Sequence, residues 1–341
     1  MGKLADRHNN FDFLRLLFAS LVIVSHSYFL TGKTDPLAWA THNQVSFGAL
    51  AVDVFFIMSG YLILTSVIFS HSLQSYLWKR LLRLFPGLFI LLVFSLLLLL
   101  LVYTGDNIFY ESSFWTYLPN NLSLYRVQYY VAHVFENNPY SKVINGSLWS
   151  LSYEFTMYLF IGALFPLRKS KLLLPLLLVC FASAMLLFNL KPSFLSNAFG
   201  LLCLDSAQAY RLATYFLSGS LLTFVDWDKI NRTSIKWLLF AVLLLSIWLQ
   251  AYKFISPLVL PFLVIANGLS FSKILDYIPN KWGDISYGVY IYGFLVQQTL
   301  LNYLSLHPFI LIILSLSITY VLSYLSWHYV EKKCLKYKSI I

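Results

Sequence analysis

This sequence is short of charge. Asp, Glu, Lys and Arg supply 11% of its 341 residues and hydrophobic residues 59%, with a mean hydropathy of +0.71. That balance excludes an ordinary soluble domain. Cysteine is scarcer still: Cys180, Cys203 and Cys334 stand apart, with no CxxC spacing, so neither a disulfide framework nor a thiolate metal site is expected. Strand-length alternation is missing, which argues against an outer-membrane barrel. No small-x-small cleavage site follows the first apolar run, so that run is expected to stay attached as a span. Internal repeats of the transporter kind are not evident. No polar segment is large enough for an appended soluble domain, and residues 1–341 read as one membrane domain.

What is present is a series of apolar runs. They lie at about 11–30, 48–70, 84–104, 148–166, 172–190, 210–225, 236–254, 256–271, 284–303 and 308–330. Many approach the roughly 20 residues a helix needs to cross a bilayer. The expected fold is all-α, a polytopic membrane bundle of about ten transmembrane helices. Basic residues orient it. Most of the 24 Lys and Arg fall in alternate connections, such as Lys79-Arg80, Arg168-Lys169 and Lys332-Lys333, whereas Lys33, Arg126, Lys142, Lys191 and Lys253 occupy the others. By the positive-inside rule both termini are cytoplasmic and residues 105–147 face outward. The net charge of +10 then reflects topology and attraction to anionic lipid, with no basic stripe for nucleic acid. The outward segment is dense in Phe, Tyr and Trp, which suits either the headgroup belt or stacking on sugar rings.

Ionisable residues inside such runs are expensive and mark places to look. In "FDFLRLLFASLVIVSHSYFL", Arg15 and His26 are eleven residues apart and fall within about 20° of one helix face. Asp12, three residues before Arg15, is a natural partner for it. Asp53 and Glu154 each enter their spans from the outer side, at nearly the depth of His26, and Arg211 lies near the outer end of the sixth run. Together these four could form a charged cluster around a cavity, or a structural ion-pair network. Arg80 and Arg83, at i and i+3, suit phosphate binding or simple inside-positive sorting. His133 with Glu136 and His328 with Glu331 read as surface pairs at i and i+3. Asn121-Leu-Ser and Asn145-Gly-Ser match the glycosylation pattern weakly. No second His or Cys stands at ligand spacing from His26, so no metal is expected.

These segments resemble the membrane-bound acyltransferase 3 family along their full length. "FDFLRLLFASLVIVSH" is similar to its first-helix Asp, Arg and His signature, "DVFFIMSGYLI" to its second-helix block, "RLLR" to its Arg-x-x-Arg, and "NGSLWSLSYEFTMYL" to its Trp-Ser-Leu-x-x-Glu block. "RLATYFLSGSLL", "ISYGVYIYGFLVQQ" and "YVEKK" follow in the family's order. One departure is Tyr292-Gly293, where many members carry a histidine.

The resemblance implies an O-acetyltransferase of the bacterial inner membrane that modifies surface or lipid-linked carbohydrate. It implies acetyl-CoA or another acyl-CoA as donor substrate, with no bound cofactor. His26 would be the general base, Arg15, Glu154 and Asp53 its catalytic neighbours, and Arg80 and Arg83 the donor site. Trp149, Arg211, Tyr287 and Gln297 would bind substrate. A covalent acyl-histidine relay is a variant of direct transfer. The rivals are a transporter or flippase for a glycolipid or small solute, and an assembly subunit without chemistry.

Overall fold

The computed structural model describes residues 9–270, 272, 275 and 281–340, and among them it is helical with no strand. Ten long helices among the described residues carry the fold: α1 (Phe11–Leu30), α2 (Phe47–Phe69), α3 (Leu73–Val102), α4 (Trp149–Ala163), α5 (Leu173–Leu190), α6 (Ser206–Leu221), α7 (Thr233–Trp248), α8 (Tyr252–Gly268), α9 (Ser286–Tyr303) and α10 (Pro308–Ser326). Each corresponds to one of the ten apolar runs. Among the described residues, five stretches are long and apolar enough to cross a membrane by themselves: α1, α2, α3, α5 and the run Pro308–Lys338 that contains α10. α7 and α8 are apolar but shorter.

Polar side chains set several helix starts. Ser46, Ser72 and Asp205 accept the exposed amides of Ala49, Ser75 and Gln208 at the beginnings of α2, α3 and α6. His307 caps α10 ahead of Pro308, whose missing N–H costs nothing at a first-turn position. The Ser72 cap corrects one boundary. α3 begins at Leu73 and runs through Pro86, so Arg80 and Arg83 project from within a helix rather than from the connection before it.

Successive connections alternate between two ends of the bundle. At the first end, Asn10 N–H donates to Gly268 O (2.8 Å) and Trp78 Nε1 to Tyr337 O (2.9 Å). At the second, Gln44 Nε2 donates to Ile247 O (2.7 Å) and Asn138 Nδ2 to Gln298 O (2.9 Å). α1 lies against α2, α9 and α10, and α2 against α6. The α2–α6 crossing depends on glycine. A Cβ at Gly60 would overlap the Phe216 carbonyl, and one at Gly219 would overlap the Ile57 carbonyl. Without a hydrophobic drive between helices in lipid, such close backbone approach is a main source of association. α5 shows the opposite surface, exposing Leu174, Leu178, Val179, Leu186 and Leu190 as a lipid-facing side would.

The connection from α3 to α4 is only partly external. A short helix, Ser112–Leu122, is followed by irregular chain, but Ile144, Asn145, Ser147 and Leu148 are all at most 3% exposed. Asn145 Nδ2 donates to the Ile291 carbonyl (2.7 Å), and its Oδ1 accepts from Ser147 N–H (3.0 Å). The backbone therefore enters the bundle before it becomes helical. Non-helical chain survives at such depth only where protein surrounds it. Both sequons are thereby closed: Asn145 is 1% and Asn121 3% exposed, the latter bonded to the Tyr117 and Gln128 carbonyls.

Candidate active site

The ionisable residues that the sequence places at one depth separate into three groups. Contacts along α1 show why. Gly48 of α2 abuts Ser25, whereas Tyr61 stacks on Phe11 at 5.9 Å. This antiparallel register sets Asp53 opposite residues near Ser20, about 9 Å along the axis from His26. Glu154 lies deeper still. Ser59 Oγ donates to Glu154 Oε1 (3.3 Å), and Ser59 is level with the first turns of α1. The buried entry of residues 144–148 is the physical reason, because α4 starts well inside the bundle. Of His26, Asp53, Glu154 and Arg211, only Asp53 and Arg211 come together, as the ion-pair alternative has it.

The first group surrounds a cavity of about 120 Å³. Arg15 of α1, Arg80 and Arg83 of α3 and Glu154 of α4 reach it, with Ser59, Ser150, Tyr158, Tyr287 and Tyr290 among its polar walls. Tyr158 donates to Glu154 Oε1 (2.5 Å), the Ser150 and Tyr290 hydroxyls are 2.6 Å apart, and Tyr287 donates to the Leu84 carbonyl (3.0 Å). Beside the cavity, Arg83 Nη2 lies 2.5 Å and Arg15 Nη1 3.5 Å from Asp284 Oδ2, and Arg15 Nη1 also lies 2.9 Å from Asp12 Oδ1. Burial alone would raise the Asp284 carboxyl, but Arg83 and Arg15 beside it hold it below the ordinary carboxylate value. Arg80 differs. Its Nε is buried without an acceptor, and no carboxylate comes within ion-pair distance of it among the described residues. A cavity wall that holds an unneutralised guanidinium is suited to an anion.

The second group is a closed pair. Arg211 Nη2 lies 2.8 Å from Asp53 Oδ1, close enough for the charges to pair although the N–H does not point squarely at that oxygen. Asp53 is 2% exposed. Arg211 also donates to Ala49 O (3.1 Å) and Gln208 Oε1 (3.2 Å), and the neighbouring Tyr215 and Ser256 hydroxyls bond at 2.8 Å. Neither Asp53 nor Arg211 lines the cavity.

The third group is His26 and its surroundings. Its ring meets Phe294 edge-on at 5.2 Å, and Phe294 in turn meets Tyr140, which packs on Phe29 at 4.7 Å. Phe29 and Tyr140 are exposed at 52% and 39%, so an aromatic row leads from the surface toward His26. Gly146 is required here, since a Cβ would strike the Phe294 ring. His26 Nδ1 is inaccessible and has no hydrogen-bond partner among the described residues. One stripe of α9 joins the first and third groups: Tyr287 and Tyr290 line the cavity, Phe294 touches His26, and Gln297 reaches the α1 turn that bears it. These positions recur at helical spacing. Arg15 and His26 both face α9, as their shared face in the sequence requires.

Of the residues expected to bind substrate, Tyr287 lines the cavity, whereas Trp149 packs edge-on against Tyr153 (5.6 Å) and Gln297 is fully enclosed. The expected His133 and Glu136 surface pair is present at 3.8 Å. The His328 and Glu331 pair is not. A π-helical turn, Trp327–Glu331, sends His328 to the Trp282 carbonyl (3.1 Å) and buries Glu331 at 2% exposure, where it accepts from Ser326 (2.9 Å). A wider turn breaks the i, i+3 relation. Asp284 and Tyr158 escaped sequence reasoning. The available signal was an acid immediately before the "ISYG" block, and a tyrosine one turn after Glu154.

Comparison with known proteins identifies the family of the chain. Residues 8–328 match the family model of the acyltransferase domain known as acyltransferase 3. The chain is 30% identical over 339 residues to an O-acetyl transferase of Shigella phage Sf6, covering 96% of each. It is 28% identical over 363 residues to nodulation protein 10 of Rhizobium leguminosarum bv. viciae, covering 98% of this chain and 95% of that one. No solved structure matches it.

Proposed function

The chain belongs to the acyltransferase 3 family, and from that premise we propose that it is an integral membrane O-acetyltransferase. It takes an acetyl or other short acyl group from acyl-CoA on the cytoplasmic side and passes it to a hydroxyl of a surface or lipid-linked carbohydrate in the bacterial inner membrane. One observation carries the reading: a cavity at the first end of the bundle gathers three arginines, one of them unneutralised, and a stripe of α9 leads from it to a histidine near the second end. The name of the phage relative, an O-acetyl transferase, favours the same chemistry.

All ten helices cross the membrane in this reading, with both termini and the arginine cavity cytoplasmic. Arg80 and Arg83 hold the donor's phosphates, and the acyl arm extends along the α9 stripe. His26 accepts the proton of the acceptor hydroxyl as its oxygen attacks the thioester carbonyl. The new C–O bond forms, the C–S bond breaks, and the proton passes from the imidazolium to the departing thiolate. Free CoA and an O-acyl ester result. With Asp53 paired to Arg211 and Glu154 at the cavity, neither carboxylate is the partner of the imidazole. Glu154 and Tyr158 instead line the path of the donor.

Purified protein supplied with labelled acetyl-CoA and a glycan acceptor should transfer label to the acceptor. His26→Ala should abolish transfer while the protein keeps its helical content. Transfer that persists in that variant would remove His26 as the base, and acceptor movement across vesicles without donor consumption would replace the reading with transport.

A further inference from the structure

His26 needs something to hold its ring if it is to act as a base, and the two carboxylates of neighbouring helices are engaged elsewhere. The candidate is a neutral group. Gln297 of α9 is 0% exposed, and its Nε2 donates both to the Ile23 carbonyl (2.8 Å) and to Ser27 Oγ (2.7 Å). Those residues are three before and one after His26 on α1, so Gln297 grips the turn that carries the histidine.

The network also fixes which way the amide faces. Ile23 O can only accept, and Ser27 Oγ already donates its hydrogen to that carbonyl (2.9 Å). Both partners therefore demand the NH2 group, which commits the amide oxygen to the opposite side. That oxygen, Gln297 Oε1, is buried with no donor. So is His26 Nδ1. One buried acceptor and one buried nitrogen, both unpartnered, thus lie at the same junction of α1 and α9, each costly to leave unsatisfied.

We propose that Gln297 is a positioning residue for His26: its Oε1 accepts the Nδ1–H of the imidazole in the working enzyme and leaves the Nε2 lone pair free for the acceptor hydroxyl. This rests on the acyl-transfer reading above. A neutral amide in this role fixes tautomer and ring angle without adding charge to the interior. Since the amide does not titrate, it also leaves the ring's basicity to its surroundings. Among the described residues, the titratable side chain packed at this junction is Tyr140, against Phe294; Asp53 of α2, neutralised by Arg211, and Tyr320 of α10, bonded to Ser20, lie lower on α1.

The test uses full-length protein in detergent with 15N-labelled histidine, the His26 signal being assigned by its loss in His26→Gln. Wild type should carry its proton on Nδ1 with Nε2 bare. Gln297→Met should move the proton to Nε2 or mix the tautomers, and lower kcat about 10- to 100-fold with the donor KM within about twofold. Ser27→Ala removes one of the same anchoring bonds but leaves Oε1 in place, so it should keep the Nδ1–H tautomer. A wild-type ring protonated on Nε2, or an Nδ1–H signal that survives Gln297→Met, overturns the proposal. Its failure is separable from that of the base assignment: activity retained in His26→Ala would unseat the base, whereas the tautomer measurement still decides what Gln297 holds.

Discussion

Two buried charge assemblies lie in this bundle, and they are built differently. Around the cavity, Arg15 and Arg83 pair with Asp12 and Asp284, Arg80 pairs with no carboxylate among the described residues, and open volume remains beside them. Between α2 and α6, Asp53 and Arg211 meet one to one, and neither borders the cavity. A balanced pair in a filled interior is a packing device, because its worth lies in not leaving the partner alone. An unpaired cation beside a void is poised for a ligand. Intramembrane charge by itself does not separate the two cases; pairing and space do.

The comparison makes its strongest claim at the closed pair. Asp53→Ala should destabilise the protein by about 3–5 kcal/mol by stranding Arg211, while Asp53→Ala combined with Arg211→Met should recover much of that loss. Denaturation midpoints in detergent check it. A single variant that folds normally but loses donor binding would move the pair into the active site. At the cavity the opposite is expected. Arg80→Ala should leave the melting temperature nearly unchanged and raise the donor KM at least about tenfold, since a hydrogen bond to a charged group contributes about 1.5–3 kcal/mol. Steady-state kinetics with the acceptor saturating would read this, and an unaltered donor KM would reduce Arg80 to a topology signal.

A smaller effect is expected from acid. The carboxyl of Asp284 is held below its ordinary value in the folded protein, so its contribution to stability is fully present above the unfolded carboxylate value of about 3.9 and is lost as pH falls through the lower folded value. Wild type should therefore lose stability below about pH 4 more steeply than Asp284→Asn. Parallel acid profiles would show that the arginines do not depend on this carboxylate. The slightest change is expected from Tyr287→Phe. It forfeits one hydrogen bond to Leu84, about 1 kcal/mol, and should narrow the difference between the two assemblies hardly at all.

Helix positions were legible in the sequence because long apolar runs and serine or aspartate caps are local signals. Arg15 and His26 could be assigned to one face by angle alone, and both do face α9. The depth of Glu154 was not legible. "VINGS" has the composition of a surface turn, and only contacts with Ile291 and Phe294, distant in the chain, reveal that it is enclosed. The burial of Glu331 was hidden for a related reason, since i, i+3 reasoning assumes an ordinary α-turn and the chain there makes a π-turn. Asp284 is invisible as a clamp until α1, α3 and the turn just before α9 are brought together.

The enclosed segment at 144–148 also bears on how the protein is made. Asn145 is held by the carbonyl of Ile291, 146 residues further along. When α4 leaves the ribosome that carbonyl has not yet been synthesised, so Asn145 cannot make this bond until α9 follows. The cavity is thus completed late in biogenesis, and a nascent chain halted before α9 holds its arginines without the wall that faces them.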